Sequence, residues 1–471
     1  MVPEVGASMR PASIQPLSAL VVECAREPQR PTSGRPTHGW AIGEPVSLVS
    51  SRIHMNSVVC WLDLSPEDMR RAGEFLEVMQ GHGTKDELGF LAMQRAFANR
   101  FYPATTTQLS LARYFYFLPA IYESLERQHV SSAQSRRFIR DRQEELRRAL
   151  KENDGIRYRE RAVTLPSDVY WSALGALGFP RSPGWSEAGY LGALDAAYRG
   201  NRPWHDDDKV TRTGRTLGFW DPDRPDSSFL TANGVIHPKT DSTLRLAEAR
   251  DLRRRFDGLS PNLLSHLIQR GERNSRIRYE WAWDIPDPPA SLRPLLPAAR
   301  RLSRFARGTM LQYDHRLAES RLEGKVKKQV QGAVEREWSS WYEDARNDLR
   351  GWDLDEFLEL RPVQEVLDNA KNGTLEGFIR DWVGRFRKVT GPRLLHDSEA
   401  RRLVQEREQG CKGGRSRFLD PLAMQNWNRL RADQSDDDEP VTQQFQLGFR
   451  HRVGTSIAVE ICGALPMRRR S

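Results

Sequence analysis

Residues 107–128 read TQLSLARYFYFLPAIYESLERQ. Within them Tyr114, Phe115, Phe117, Leu118, Ile121, Tyr122 and Leu125 recur at helical spacing. That pattern predicts a helix buried at the centre of its domain. Pro119 is expected to kink it. Arg113 interrupts the apolar run, which stays short of the ~20 residues a membrane helix needs.

The segments on either side extend the helical pattern. Ser65 as cap, Pro66 at the first position and Glu67 and Asp68 in the first turn predict a helix running to Gln80 and stopped by Gly81. Another is expected from Asp86 to just before Pro103. Ser132 to Glu152 reads as a two-faced helix. With Arg136 set to zero at ~100° per residue, Arg147, Arg140 and Lys151 fall at about 20°, 40° and 60°. Phe138, Ile139, Leu146, Ala149 and Leu150 fall on the opposite side.

Farther along, Leu165-Pro166-Ser167 opens a helix closed by Gly178 and Pro180, and a second starts near Ser186. The pair is readable as a helix-turn-helix or winged helix, or as two packed helices. Gly200 to Pro238 is rich in Gly, Pro and Asp and reads as loops. Arg276 to Trp281 alternates like a half-buried strand. From Leu295 a long helix is expected, with Leu302, Phe305, Ala306, Met310, Tyr313 and Leu317 as its stripe and Arg300, Arg304 and Arg307 off it. Residues 322–471 return to helix, with Trp338, Trp341, Tyr342, Phe378, Trp382 and Phe386 as core aromatics and Pro392, Gly410 and Pro421 as punctuation.

The fold class is therefore mainly α, multi-helical, with a few short strands. The expected organisation is a tail at 1–54, or a start codon truly at Met55; an N-terminal helical domain at 55–161; a mixed region at 162–290, winged-helix-like in one reading; and a C-terminal helical domain at 291–471. No internal repeat of solenoid period is present.

The chain has 471 residues, 38% hydrophobic and 29% charged, with mean hydropathy −0.66. These figures exclude a membrane protein, a collagen-like chain and a disulfide scaffold. The net charge is +9, and arginine outnumbers lysine 62 to ten. Codon bias of a GC-rich genome produces such a skew, yet the balance still favours an anionic partner. Cysteines at 24, 60, 411 and 462 are too scattered for a CxxC site and suit a reducing cytoplasm. There is no secretory signal: Leu17 to Val22 is short and stopped by Glu23.

No P-loop, GxGxxG or HExxH pattern occurs. His237-Pro238-Lys239 imitates a phospholipase-D fragment, but Leu244 stands where its aspartate belongs, so a turn is expected. Trp204 to Lys209 gathers an imidazole, three carboxylates and an ammonium, as a metal-dependent nuclease would, but consecutive residues cannot all face one ion. Pro286-Asp287 with Glu323-Gly324-Lys325 imitates PD…ExK with the ExK placed on a helix. The ten histidines show no metal spacing. No catalytic residue, metal ligand or cofactor is assigned, which points away from an enzyme.

Two basic segments stand out, with Lys325, Lys327 and Lys328 and the tail Arg468-Arg469-Arg470 as further basic candidates. Arg136, Arg140, Arg147 and Lys151 form one helix face suited to a phosphate backbone, or to a solvated surface with i,i+4 pairs. Lys412-Gly413-Gly414-Arg415-Ser416-Arg417 follows a helix expected to end at Gly410. There Lys412, Arg415 and Arg417 flank glycines whose amides can approach phosphate.

Some motifs resemble a known family: Trp61-Leu62-Asp63-Leu64-Ser65, Gly83-Thr84-Lys85-Asp86-Glu87-Leu88-Gly89, Tyr102-Pro103-Ala104-Thr105-Thr106-Thr107-Gln108 and Ala112-Arg113-Tyr114-Phe115. In that order they are similar to the WLDxS, GTRDELG, FPGTSTxQ and ARYF motifs of the bacterial family filed as domain of unknown function 6361. Lys85, Tyr102 and Ala104 depart from the pattern. Tyr170-Trp171, Phe219-Trp220 and Arg407-Glu408 with Lys412-Gly413 extend the resemblance from about Val58 onward. It implies a cytoplasmic bacterial protein found among phage-defence and mobile-element genes, and supplies no catalytic residues. Thr84 and Asp86 look like helix-start residues, and Thr105 to Thr107 like the cap of the central helix.

The resulting expectation is a non-enzymatic nucleic-acid-binding component, for DNA above RNA, of a defence or mobile-element complex. Its partners would be nucleic acid and other defence proteins, without a membrane. The alternatives are an interaction scaffold using the thirteen tryptophans, and a metal-dependent nuclease using Asp206 to Asp208.

Overall fold

The apolar periods become helices of a computed structural model that describes residues 86–154, 164–181, 184–199, 218–225, 229–231, 233–274, 278–368, 374–389, 391–421, 423–424 and 447–466. All fall in one unit, Leu64–Ser471. The first five helices are α1 (Leu91–Phe101), α2 (Tyr114–Arg127), α3 (Ser132–Asp154), α4 (Pro166–Ala176) and α5 (Glu187–Arg199). Then come α6 (Leu246–Asp257), α7 (Leu263–Arg270), α8 (Leu295–Arg321), α9 (Gly324–Arg350) and α10 (Leu354–Glu359). The rest are α11 (Arg361–Leu367), α12 (Thr374–Lys388), α13 (Ser398–Lys412) and α14 (His451–Ala464). The protein is thus mainly α and multi-helical. In place of short strands, the described residues hold two isolated antiparallel bridges, Pro180 with Trp220 and Leu230 with Ile236.

Helix α2 is central, as its sequence requires: twelve of its fourteen residues are buried, Pro119 among them. It starts later than expected, at Tyr114, because the preceding amides bond elsewhere. Ser110 and Leu111 donate to the Tyr170 hydroxyl at 3.0 Å each, and Ala112 donates to Glu460 at 2.7 Å. Thr105 to Thr107 do not cap the helix; the Thr105 hydroxyl closes a turn on the Tyr102 carbonyl at 2.6 Å. Asp86 does hold a helix start, accepting the Phe90 and Leu91 amides at 2.5 and 3.0 Å.

Arg113, at the entry to α2, is almost fully buried and pairs with Asp241 at 2.9 Å and Glu248 at 3.2 Å. A buried guanidinium needs such partners, since unpaired burial of charge is strongly unfavourable. The Tyr116 hydroxyl donates to the Glu248 carbonyl at 2.7 Å and to Asp251 at 3.0 Å, and Asp251 holds Arg255 at 2.8 Å. The ARYF motif is therefore a fastening between α2 and α6.

The α4–α5 pair forms as expected, but α4 packs on α2 and α5 on α3. The strand expected at 276–281 is not formed. Residues 275–277 lie outside the described residues, and 278–281 form no strand, the Arg278 amide bonding back to the Asn274 carbonyl at 3.0 Å. Arg278 and the Tyr279 hydroxyl converge on Glu272 at 3.2 Å each, and the Trp281 amide caps the turn Ala282–Asp284 through Asp284 at 2.9 Å. The chain thereby closes on itself instead of meeting a partner strand.

Only Leu322 and Glu323 separate α8 from α9, and the two pack antiparallel. Their register shows in the pairs Arg300–Asp348 (2.9 Å), Arg304–Asp344 (3.7 Å) and Arg307–Glu337. Periodicity puts Arg307 off the stripe, yet it is buried, because α8 is covered nearly all round. Gly308 lets the Trp341 ring lie against the α8 backbone: a Cβ there would collide with the ring. The six expected core aromatics are all buried.

Two long-range closures complete the unit. Helix α14 packs on α6 and α7, and His451 accepts the Tyr102 hydroxyl at 2.6 Å while its other ring nitrogen meets the Tyr279 carbonyl at 3.0 Å. Phe90 packs edge-on against Phe305 at 5.5 Å and near Phe378 at 6.3 Å, joining α1's start to α8 and α12. The expected tail at 1–54 and the helix at 65–80 lie outside the described residues.

Candidate functional site

Helix α3 carries the first basic segment. Ser135, Ile139, Gln143, Leu146, Ala149 and Leu150 are buried on one side, against α2 and α5. Arg136 and Lys151 are exposed, Arg140 and Arg147 half-buried. The helix is fastened along its length. Gln143 exchanges two hydrogen bonds with Ser167, at 2.9 and 3.1 Å. Asn153 donates to the Pro238 and Thr240 carbonyls at 2.8 and 2.7 Å, and Asp154 accepts the Ser242 amide at 2.6 Å. Outward, Arg142 pairs with Glu145 at 2.7 Å and Arg137 with Asp141 at 3.7 Å. Four cations thus lie along a rigid helix over about 22 Å, fifteen residue rises, opposite a buried face.

The second basic segment is arranged differently. Helix α13 runs through Gly410 to Lys412, and Gly413, at φ 56, ends it. Gly410 does not stop the helix because no left-handed residue is required there; the break falls where the backbone turns left-handed. Lys412 and Arg417 both point inward onto Glu87, at 3.0 and 2.8 Å, with side chains 8% and 13% exposed. Arg417 also donates to the Tyr313 hydroxyl at 3.3 Å. Beside them Glu408 accepts the Ser416 hydroxyl and the Arg417 amide. Burial holds the Glu408 carboxyl above its usual range, against those hydrogen bonds. Arg407 donates to the Leu88 carbonyl at 2.9 Å and to Thr374 at 2.7 Å, and burial lowers its pKa. Gly89, at φ +76, is crossed by Arg407 so closely that a Cβ would meet it at 2.5 Å. Of the three cations in this loop, Arg415 alone is exposed. Residues 86–89, the described end of the GTKDELG motif, and the segment from Arg407 to Arg417 therefore meet as one buried ionic joint.

The other sequence candidates fall out plainly. His237 to Lys239 is an exposed turn, with the Lys239 amide on His237 at 3.1 Å. Asp287 is exposed and pairs with Arg270 at 3.4 Å, and Glu323 precedes α9. Residues 204–209 lie outside the described residues.

One group escaped the sequence because its members come from three elements: His315 on α8, Glu335 on α9 and His396 at the end of the turn Gly391–His396. Their donor atoms lie within 4.8 Å of one another, the one such trio among the described residues. Arg401 donates to His315 Nδ1 at 3.0 Å, so the neutral ring carries its proton on Nε2, which faces Glu335 at 3.5 Å. Burial, then Arg401, then His396 push the His315 pKa down. The Arg401 guanidinium thus engages the Nδ1 lone pair, and Nε2 is buried without a hydrogen-bond partner among the described residues.

The described tryptophans are mostly internal. Trp220, Trp338, Trp341, Trp352 and Trp382 are buried and Trp171, Trp281 and Trp283 half-buried, while Trp185 is 42% exposed. No helix among the described residues is long and apolar enough to cross a membrane.

Fold and surface together define a multi-helical protein with internal ionic joints and one basic helix face. The sequence profile of a family of unknown function, DUF6361, matches residues 56–445, and the chain belongs to that family. Comparison with curated proteins and with solved structures returns no match.

Proposed function

We propose that this chain is a non-enzymatic nucleic-acid-binding protein whose phosphate-binding surface is the outer face of α3. The observation that carries the proposal is the alignment of Arg136, Arg140, Arg147 and Lys151 on one face of a helix fastened at several points, Arg136 and Lys151 exposed and Arg140 and Arg147 half-buried. Their span of about 22 Å covers roughly six phosphates of a strand at ~3.4 Å each. Arg415 adds an exposed cation on the loop after α13; Lys412 and Arg417 are committed to Glu87 and support the fold in this reading. DNA is the ligand we propose first. The setting we propose is the cytoplasm, in a defence or mobile-element complex, as the family resemblance implies.

Burial of most described tryptophans supports this reading over the scaffold, whose adhesive rings would have to be outside. The nuclease alternative rests on Asp206 to Asp208, outside the described residues.

A salt-titrated binding series tests the proposal. Four phosphate contacts give a log–log slope near −3.6, so raising salt from ~50 to ~200 mM weakens binding roughly a hundredfold. Charge reversal at Arg136, Arg140, Arg147 and Lys151 should abolish that slope. Absence of binding to DNA and RNA at the low-salt end refutes it.

A further inference from the structure

Deepening the reading just proposed, and resting on it, we infer that Trp185 and Phe219, flanked by Arg181 and Arg136, form a stacking platform for unpaired bases, making single-stranded nucleic acid the ligand of this surface.

The platform is built where two loops are laced together. The Arg181 amide donates to the Phe219 carbonyl at 2.7 Å, and the Asp221 amide to the Phe179 carbonyl at 2.8 Å, around the Pro180–Trp220 bridge. This sets the Phe219 ring 5.1 Å from Trp185 and 5.0 Å from Tyr190. Trp171 donates its indole N–H to the Trp185 carbonyl at 2.6 Å, fixing the backbone that carries the indole. Beneath lie Tyr122, Tyr190 and Trp220, all buried and in mutual ring contact. Trp185 is the one exposed aromatic residue among the described residues.

Cations flank this ring pair. Arg181 is exposed, with Nη1 3.6 Å from the Cβ position of Gly218, the residue before Phe219. Arg136 lies on α3, which packs on α5, the helix that begins two residues after Trp185. The Arg136 charge reaches Glu187, opposing the rise that burial and Asp168 impose on that carboxyl. The nearby carboxylates are engaged locally: Glu187 accepts the Tyr122 hydroxyl, and the exposed Asp168 accepts the Leu165 amide at 3.1 Å. An aromatic ring at the Arg136 end of a cationic track suits bases whose faces are open. In a duplex those faces are already stacked and only phosphates are offered.

The test compares the full-length chain and its Trp185→Ala variant on a thymidine homopolymer of about 20 nucleotides, alone and paired as a duplex, at ~50 mM salt. The variant should bind the single strand between about fivefold and a hundredfold more weakly. It should keep its duplex affinity, and Trp185→Phe should restore most of the loss. A 2-aminopurine reporter in the single strand should lose its stacking quench in the alanine variant. Unchanged single-strand affinity in Trp185→Ala, with Arg136→Glu still weakening it, overturns the platform and leaves the phosphate-binding reading standing. Equal losses on both ligands also overturn the platform. No binding of either ligand by the unmutated chain removes both.

Discussion

The loop after α13 and the outer face of α3 are both runs of arginine and lysine, and the structure uses them in opposite ways. Lys412 and Arg417 converge on one carboxylate, Glu87, in the interior, whereas Arg136 and Lys151 extend into solvent from a helix whose other side is packed. The difference lies in what stands opposite. The loop faces the charged entry to α1; the helix buries an apolar stripe on α2 and α5 and holds Arg136 and Lys151 on its exposed side. A basic run locates a polyanion surface only once its facing element is known.

The sharpest way to break this contrast is Glu87→Ala. It removes the carboxylate that Lys412 and Arg417 share in the interior, and the fold should lose about 3–5 kcal/mol in denaturant unfolding. A loss below ~1 kcal/mol would mean that the joint is as solvated as a surface pair. Next in size is reversal of the four α3 cations. It should weaken DNA binding at least a hundredfold at ~50 mM salt, and reversal of the exposed Arg136 and Lys151 alone should leave the thermal midpoint little changed, since surface substitutions typically stay within ~0.5 kcal/mol each. A large drop in midpoint would make the face structural. Within the loop itself, Arg417→Ala should destabilise by about 2 kcal/mol, because Glu87 and Tyr313 lose a donor, whereas Arg415→Ala should stay within ~0.5 kcal/mol. Equal effects would erase the distinction drawn between them.

The smallest effect is on pH dependence. His451 and His315 have pKa values lowered from 6.5, in both cases first by burial. Unfolded chains therefore bind more protons than folded ones just below pH 6.5, so stability is full above that value and declines as pH falls through it. Melting curves from about pH 7.5 to about pH 5.5 should move down in temperature, and His451→Asn should flatten the slope. Parallel slopes would exonerate His451.

The helices were legible because apolar spacing survives in single stretches: α2, α3, α8 and the aromatic stripes at 338–342 and 378–386 all emerge from periodicity. The ionic joint was not. Arg407 and Leu88 stand 319 positions apart, and no local pattern links them. The segment 276–281 has the alternation of a strand, but the described residues hold no second strand for it to bond with. Arg307 escapes the helical wheel because periodicity assumes one wet side, and α8 has almost none. The His315 trio and the Trp185 platform each draw on separate elements, so spacing within one segment could not reveal them.

The Arg407–Leu88 bond also sets an order of events in the cell. A ribosome adding roughly 5–20 residues per second needs on the order of half a minute to span that interval. During that time the nascent chain holds Glu87 without Lys412 and Arg417, and the Phe90 ring waits for Phe305 and then Phe378. Synthesis of this polypeptide is a wait for its own late segment, and chaperone occupancy during translation should peak before residue 407 leaves the exit tunnel.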